Sequence, residues 1–134
     1  MKLVLDTNIV LDLYVFRDGA VAALQAAIVN GDVEWLATAP MREELACVLA
    51  YELIGARMQA AQVTAQQVLA DFDARARIVE VPAISKATCR DPDDQKFVDL
   101  AAAHDATLLS KDKQVLALRR KLAVAKTFTA PPLR

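Results

Sequence analysis

Of its 134 residues the sequence spends three on glycine, two on cysteine, one on histidine and 5% on aromatics. Each shortage excludes something. Cys47 and Cys89 are far apart and form no C-x-x-C pair, and His104 is the only histidine, so the usual zinc spacings are absent. No apolar run approaches the roughly 18 residues of a membrane span. The N-terminus enters a strand at Lys2 with no signal-peptide core before it. A reduced, cytoplasmic protein is expected. A net charge of -1 lacks the Lys and Arg excess that usually marks nucleic-acid binders. With few aromatics, no interleaved stacking platform for single-stranded nucleic acid is visible.

What is present is a chain that is 55% hydrophobic, with abundant Ala and Leu. That composition describes a compact, helix-rich globule, and the length fits one domain over residues 1–134 with a core that needs no disulfide or metal staple. No internal repeat or low-complexity tract is found.

Leu3, Val4 and Leu5 are apolar on both faces, the pattern of a strand covered from both sides in a parallel sheet. A helical pattern from Ile9 to Val15 breaks at Arg17 to Gly19, and a second helix, Ala20 to Val29, closes on Asn30 and Gly31. Val33 to Ala37 reads as a strand with Trp35 in the core. After Pro40 a helical region runs to about Arg77, interrupted near Gly55, and is expected to form a helical pair. Arg77 to Val81 is a third strand, Arg90 to His104 a helix, Ala106 to Ser110 a fourth strand, Lys111 to Lys121 a short basic helix and Val124 to Phe128 an edge strand. Alternating strands and helices predict an α/β fold: a mainly parallel sheet of four to five strands between helices.

In such a sheet, ligands bind at the carboxyl ends of strands near a reversal of strand order. Asp6 ends the first strand, Asp112 follows the fourth, Asp94 opens the preceding helix, and Glu43 and Glu44 lie early in the helix after the second strand. Each has a purely structural use. Asp6, Thr7 or Asn8 can cap a helix, as can Asp91 and Asp112. Asp93 and Asp94 suit a helix dipole, and Glu43 and Glu44 a solvated face. Together, carboxylates crowded in one cleft repel one another unless a cation neutralises them. His104 fits a helix C-terminus, Cys47 an apolar helix face, and Cys89 a loop, each without chemistry.

These residues resemble the PIN-domain ribonucleases, a family that supplies many bacterial toxins of toxin–antitoxin pairs. "LVLDTNIVL" matches the family's opening strand, "MREELACVL" its central Glu helix, and "DPDDQKFVDLAAAHDATLLSKD" its paired acids, with Asp94 and Asp112 18 residues apart. The resemblance implies a PIN-like three-layer fold with an acidic site of Asp6, Glu44, Asp94 and Asp112, supported by Asn8 and Ser110. Glu44 is preferred to Glu43 because it directly precedes Leu45. A site of hard oxygen donors without Cys or His suits Mg²⁺ or Mn²⁺. Asp6 and Asp94 are assigned as direct ligands, with Glu44 and Asp112 completing the site. Lys111 stands where the family often has a small residue, and is read either as a phosphate contact or as a competitor of the metal.

The implied activity is metal-dependent endoribonuclease hydrolysis of RNA. Lys111, Lys113, Arg119, Arg120, Lys121 and Lys126 would offer a basic rim to the substrate. The implied partner is an antitoxin protein, and the Ala-, Leu- and Val-rich surplus of the helical pair is expected to dock either a second copy of the chain, as a homodimer, or that antitoxin. A catalytically inactive PIN-fold binding module is the alternative. An aspartyl-phosphate enzyme is disfavoured, since it needs a second Asp two residues after Asp6, where Asn8 stands.

Overall fold

The computed structural model describes residues 1–89, 92–118 and 123–125. The expected α/β architecture is found. Five parallel strands form one sheet in the order β3-β2-β1-β4-β5, flanked by helices. β1 (Lys2–Leu5) and β2 (Glu34–Ala37) pair with Leu3 opposite Trp35, and β1 pairs with β4 (Thr107–Leu109) with Leu5 opposite Leu109. β3 (Ala76–Ile78) and β5 (Val124–Ala125) are the edges. Leu3, Val4 and Leu108 have no exposed surface, as a central strand covered on both faces requires. Trp35 is core, edge-on to Phe72 at 5.1 Å and stacked near Tyr14 at 6.2 Å.

α1 (Thr7–Leu11) continues into a π-helical turn, Asp12–Phe16, which ends on Arg17 in the left-handed conformation. A 3₁₀ turn, Gly19–Val21, leads into α2 (Ala22–Asn30). Gly31 closes α2 at φ 77°, the left-handed position expected from its place after Asn30.

The expected helical pair is instead three helices: α3 (Ala39–Leu49), α4 (Glu52–Ala61) and α5 (Ala65–Arg75). Gly55 interrupts nothing and lies inside α4, since an isolated glycine weakens a helix without ending it. The breaks fall at Ala50–Tyr51 and at Gln62–Thr64. Gln62 turns left-handed, and Thr64 starts α5 with a reciprocal capping box to Gln67. An exposed fork of Arg42 on Asp73, at 2.7 and 2.9 Å, ties α3 to α5.

The third strand is shorter than expected, though Val79 still donates to the Ala37 carbonyl at 2.9 Å. A 3₁₀ turn, Pro92–Asp94, precedes α6 (Gln95–His104), and α7 (Lys113–Leu116) follows β4. The expected Asp91 cap, the basic residues Arg119, Arg120, Lys121 and Lys126, and Phe128 lie outside the described residues. Cys89 lies in a loop as expected, and is buried there, whereas Cys47 is exposed rather than on the apolar face of its helix. Among the described residues no helix is long and apolar enough to cross a membrane.

Candidate active site

β1 and β4 are adjacent at the centre of the sheet, with β2 and β3 continuing on one side and β5 on the other. Where strand order turns in this way, the loops leaving the carboxyl ends diverge and open a crevice. Asp6 leaves β1 at this point, and Ser110, Lys111 and Asp112 leave β4.

Asp6 is only 4% exposed. Its backbone N–H donates to the Leu109 carbonyl at 3.2 Å, continuing the pairing of β1 with β4. Its Oδ1 accepts from the Ile9 N–H at 3.0 Å and caps α1, while its Oδ2 accepts from the Ser110 hydroxyl at 2.5 Å. Capping and cleft lining therefore coexist in one side chain. Burial pushes the Asp6 carboxyl above its ordinary range, because a carboxylate loses hydration there. The Ser110 and Ile9 hydrogen bonds oppose that rise, the Asp112 charge adds to it, and Lys111 opposes it more weakly.

Ser110 has no exposed surface and holds two acids at once. Its hydroxyl donates to Asp6 and accepts from the Asp112 N–H at 3.0 Å. Asp112 caps α7, its Oδ1 accepting from the Gln114 N–H at 2.8 Å and the Val115 N–H at 3.4 Å. Glu44, half-buried on α3, accepts from the Thr7 hydroxyl on Oε2 and from the Lys96 ammonium at 2.7 Å on Oε1.

Asp6, Glu44, Asp94 and Asp112, from four separated stretches of chain, line one cleft of about 280 Å³ together with Thr7 and Asn8. Glu43 is exposed and outside the lining, so the structure turns Glu44 to the cleft. Ser110 sits behind Asp6 rather than in the lining. The remaining lining is apolar, from Leu11, Val48, Ile54 and Phe97, with Tyr51 at 59% exposure. Among the described residues no three acids stand close enough to share one ion as placed.

Several supporting residues have weak or no sequence signatures. Asp99 accepts from the Ser85 N–H and from Gln95 Nε2, both at 2.8 Å, and Gln95 also bonds the Ala87 carbonyl and the Cys89 N–H. These two side chains fasten the loop before Asp94 onto α6, and their spacing of four residues on a helix is legible in the sequence. Lys111 places its ammonium 2.5 Å from Oδ2 of the buried Asp12, committing it to a partner outside the cleft lining. Lys96 and Asp12 carry no sequence pattern that singles them out.

A larger cavity of about 650 Å³ lies at the far end of α1 and contains none of the four acids. Tyr14 lines it, its hydroxyl pushed up to about 12 by burial and by the Asp71 charge. Its oxygen and Gln25 Oε1 are buried without a hydrogen-bond partner among the described residues.

Comparison with curated proteins finds no sequence match. Among solved structures, the chain is similar to one in the crystal structure of VapBC2 from Rickettsia felis bound to a DNA fragment from their promoter. The TM-score is 0.65 at 16% identity, covering 93% of this chain and 98% of that one, which is a likeness of fold. Residues 2–114, spanning β1 through the start of α7 and therefore all four acids of the cleft, match the PIN domain family, and the chain belongs to that family.

Proposed function

We propose that the protein is a divalent-metal-dependent endoribonuclease whose cation, Mg²⁺ or Mn²⁺, is held by Asp6, Glu44, Asp94 and Asp112, with Asn8 and Ser110 in support. The observation that carries this reading is the gathering of those four acids in one cleft at the carboxyl edge of the sheet. The donor set fits such an ion. Oxygen donors line the cleft without Cys or His, and the buried Asp6 bears a charge that its surroundings disfavour and a cation would favour.

When bound, the cation supplies a hydroxide-like water and neutralises charge on the phosphoryl oxygens. The chain's own residues do the positioning. Ser110 fixes the orientation of the Asp6 carboxylate and, through the Asp112 N–H, the start of α7. Gln95 and Asp99 hold residues 85–89, upstream of Asp94, against α6. Tyr51 offers an exposed aromatic face at the cleft on which a base of single-stranded RNA stacks.

We further read the protein as a cytoplasmic toxin of a toxin–antitoxin pair, one domain over residues 1–134, acting as a homodimer. Support for a protein partner comes from family membership and from the VapBC2 likeness. The apolar surplus expected of the region after Pro40 is narrow: Tyr51 and Leu53 are exposed, while Leu45, Leu49, Met58, Val68 and Phe72 are buried. Two observations favour the second reading, an inactive PIN-fold binding module: Glu44 is already paired with Lys96, and the acids stand apart.

Cleavage of mixed single-stranded RNA with Mg²⁺ or Mn²⁺ separates the two. The nuclease reading expects wild type to cut, and both Asp6→Asn and EDTA to abolish cutting. Activity that survives both overturns metal-dependent hydrolysis. A wild type inert on every RNA, yet bound by a partner, favours the binding module.

A further inference from the structure

One acid of the cleft, Glu44, is paired with a cation, Lys96, that does not itself line the cleft. Lys96, in the first turn of α6, places its ammonium 2.7 Å from Glu44 Oε1 and 2.5 Å from the Asp93 carbonyl oxygen. The same nitrogen lies 5.1 Å from the centroid of the Phe97 ring. Thr7 donates to the other oxygen of Glu44, so both carboxylate oxygens are engaged. Lys96 and Glu44 side chains are 27% and 28% exposed, so the pair is more shielded than the Arg42–Asp73 and Arg77–Glu34 pairs.

The hydrolytic reading gives this lysine no task. Lys111, the other ammonium near the site, is taken by Asp12. Lys96 contacts one of the four acids, Glu44, and does so across 52 residues of sequence.

We propose that Lys96 is a resident counter-ion of the acid cleft: it holds Glu44 in place when no divalent cation is bound and competes with such a cation for that carboxylate. Lys96 is thus a positioning residue acting through Glu44, and the inference rests on the metal reading above. Four carboxylates in one cleft repel each other, and a tethered ammonium offsets part of that repulsion without an ion from solution. A divalent cation that recruits Glu44 must first separate it from Lys96, so part of its binding free energy goes into breaking the pair. Its apparent affinity is lower by that amount.

The test is Mn²⁺ titration of the metal-free full chain by calorimetry. The variants are Lys96→Met, Lys96→Gln, Lys96→Arg, Glu44→Gln and the Lys96→Met/Glu44→Gln double substitution. An ion pair partly screened by solvent corresponds to about fivefold in an equilibrium constant. Lys96→Met and Lys96→Gln should each bind Mn²⁺ about fivefold tighter than wild type, and Lys96→Arg should stay within about twofold. On the Glu44→Gln background, Lys96→Met should change affinity by less than about twofold, because the contest has been removed. In EDTA, Lys96→Met should melt below wild type, since Glu44 has lost its counter-ion. Unchanged or weaker Mn²⁺ binding in both Lys96→Met and Lys96→Gln, with wild type binding normally, overturns the proposal alone. Equal tightening on the Glu44→Gln background also overturns it, since Lys96 would then be only a distant positive charge. No Mn²⁺ binding by wild type or any variant overturns the metal reading and the proposal together.

Discussion

Replacing Ser110 by alanine should expose how the acid cleft is held. The hydroxyl has no exposed surface and makes two bonds, donating to Asp6 Oδ2 at 2.5 Å and accepting from the Asp112 N–H at 3.0 Å. A bond to a charged acceptor contributes about 1.5–3 kcal/mol and a neutral one about 0.5–1.5 kcal/mol. Ser110→Ala should therefore cost roughly 2–4 kcal/mol, a large part of the roughly 5–15 kcal/mol that holds a typical domain folded. With an unfolding entropy of about 2.1 cal/mol/K per residue over 134 residues, Tm should fall by roughly 7–14 °C. The measurement is a thermal melt in EDTA, so that bound metal contributes nothing.

The deficit should also depend on pH. Asp6 titrates above its ordinary value of 3.8 in the folded protein. The native state then holds the proton more tightly than the unfolded chain, so this group's contribution falls as pH rises through the interval between the two values. The Ser110 hydrogen bond lowers the folded value and narrows that interval; its removal widens it upward. The loss in Ser110→Ala should be smallest near pH 4 and largest above the raised Asp6 value. A Tm within about 2 °C of wild type at neutral pH, or a deficit that shrinks as pH rises, would refute this account of the site.

Three further outcomes are expected. Gln95→Ala should release the Ala87 and Cys89 anchors, seen as faster amide hydrogen exchange over residues 85–89 while exchange in β1 and β4 is unchanged. Leu108→Ala, which empties a site of zero exposure at the centre of the sheet, should cost about 2–5 kcal/mol in a denaturant titration with unchanged m. Gly31→Ala should cost about 1 kcal/mol because alanine is strained at φ 77°, with Gly31→Asn closer to wild type by the same melt.

Local chemistry in the sequence determined much of this protein. Leu3 to Leu5, apolar on both faces, required a strand covered from both sides, and the alternation of strands and helices required a parallel sheet. The ordered set Asp6, Glu44, Asp94 and Asp112 was legible through the resemblance of its motifs to PIN-domain sequences; Asp6, Asp94 and Asp112 also sit at element boundaries readable from their neighbours, whereas Glu44 lies inside α3. The Thr64–Gln67 capping box that opens α5 was not anticipated, and the helices after Pro40 divide there and at Ala50–Tyr51 rather than at Gly55. Tertiary structure decided which carboxylates are buried and which cations meet them. Glu44 rather than Glu43 faces the cleft because α3 packs Leu45 and Leu49 inward, and that helical phase leaves Glu43 exposed. Lys96 reaches Glu44 across 52 residues, and Lys111 reaches Asp12 across 99. Such pairings depend on which strands become neighbours, and hydrophobic periodicity along one segment carries no information about the distant segment whose charge it will meet.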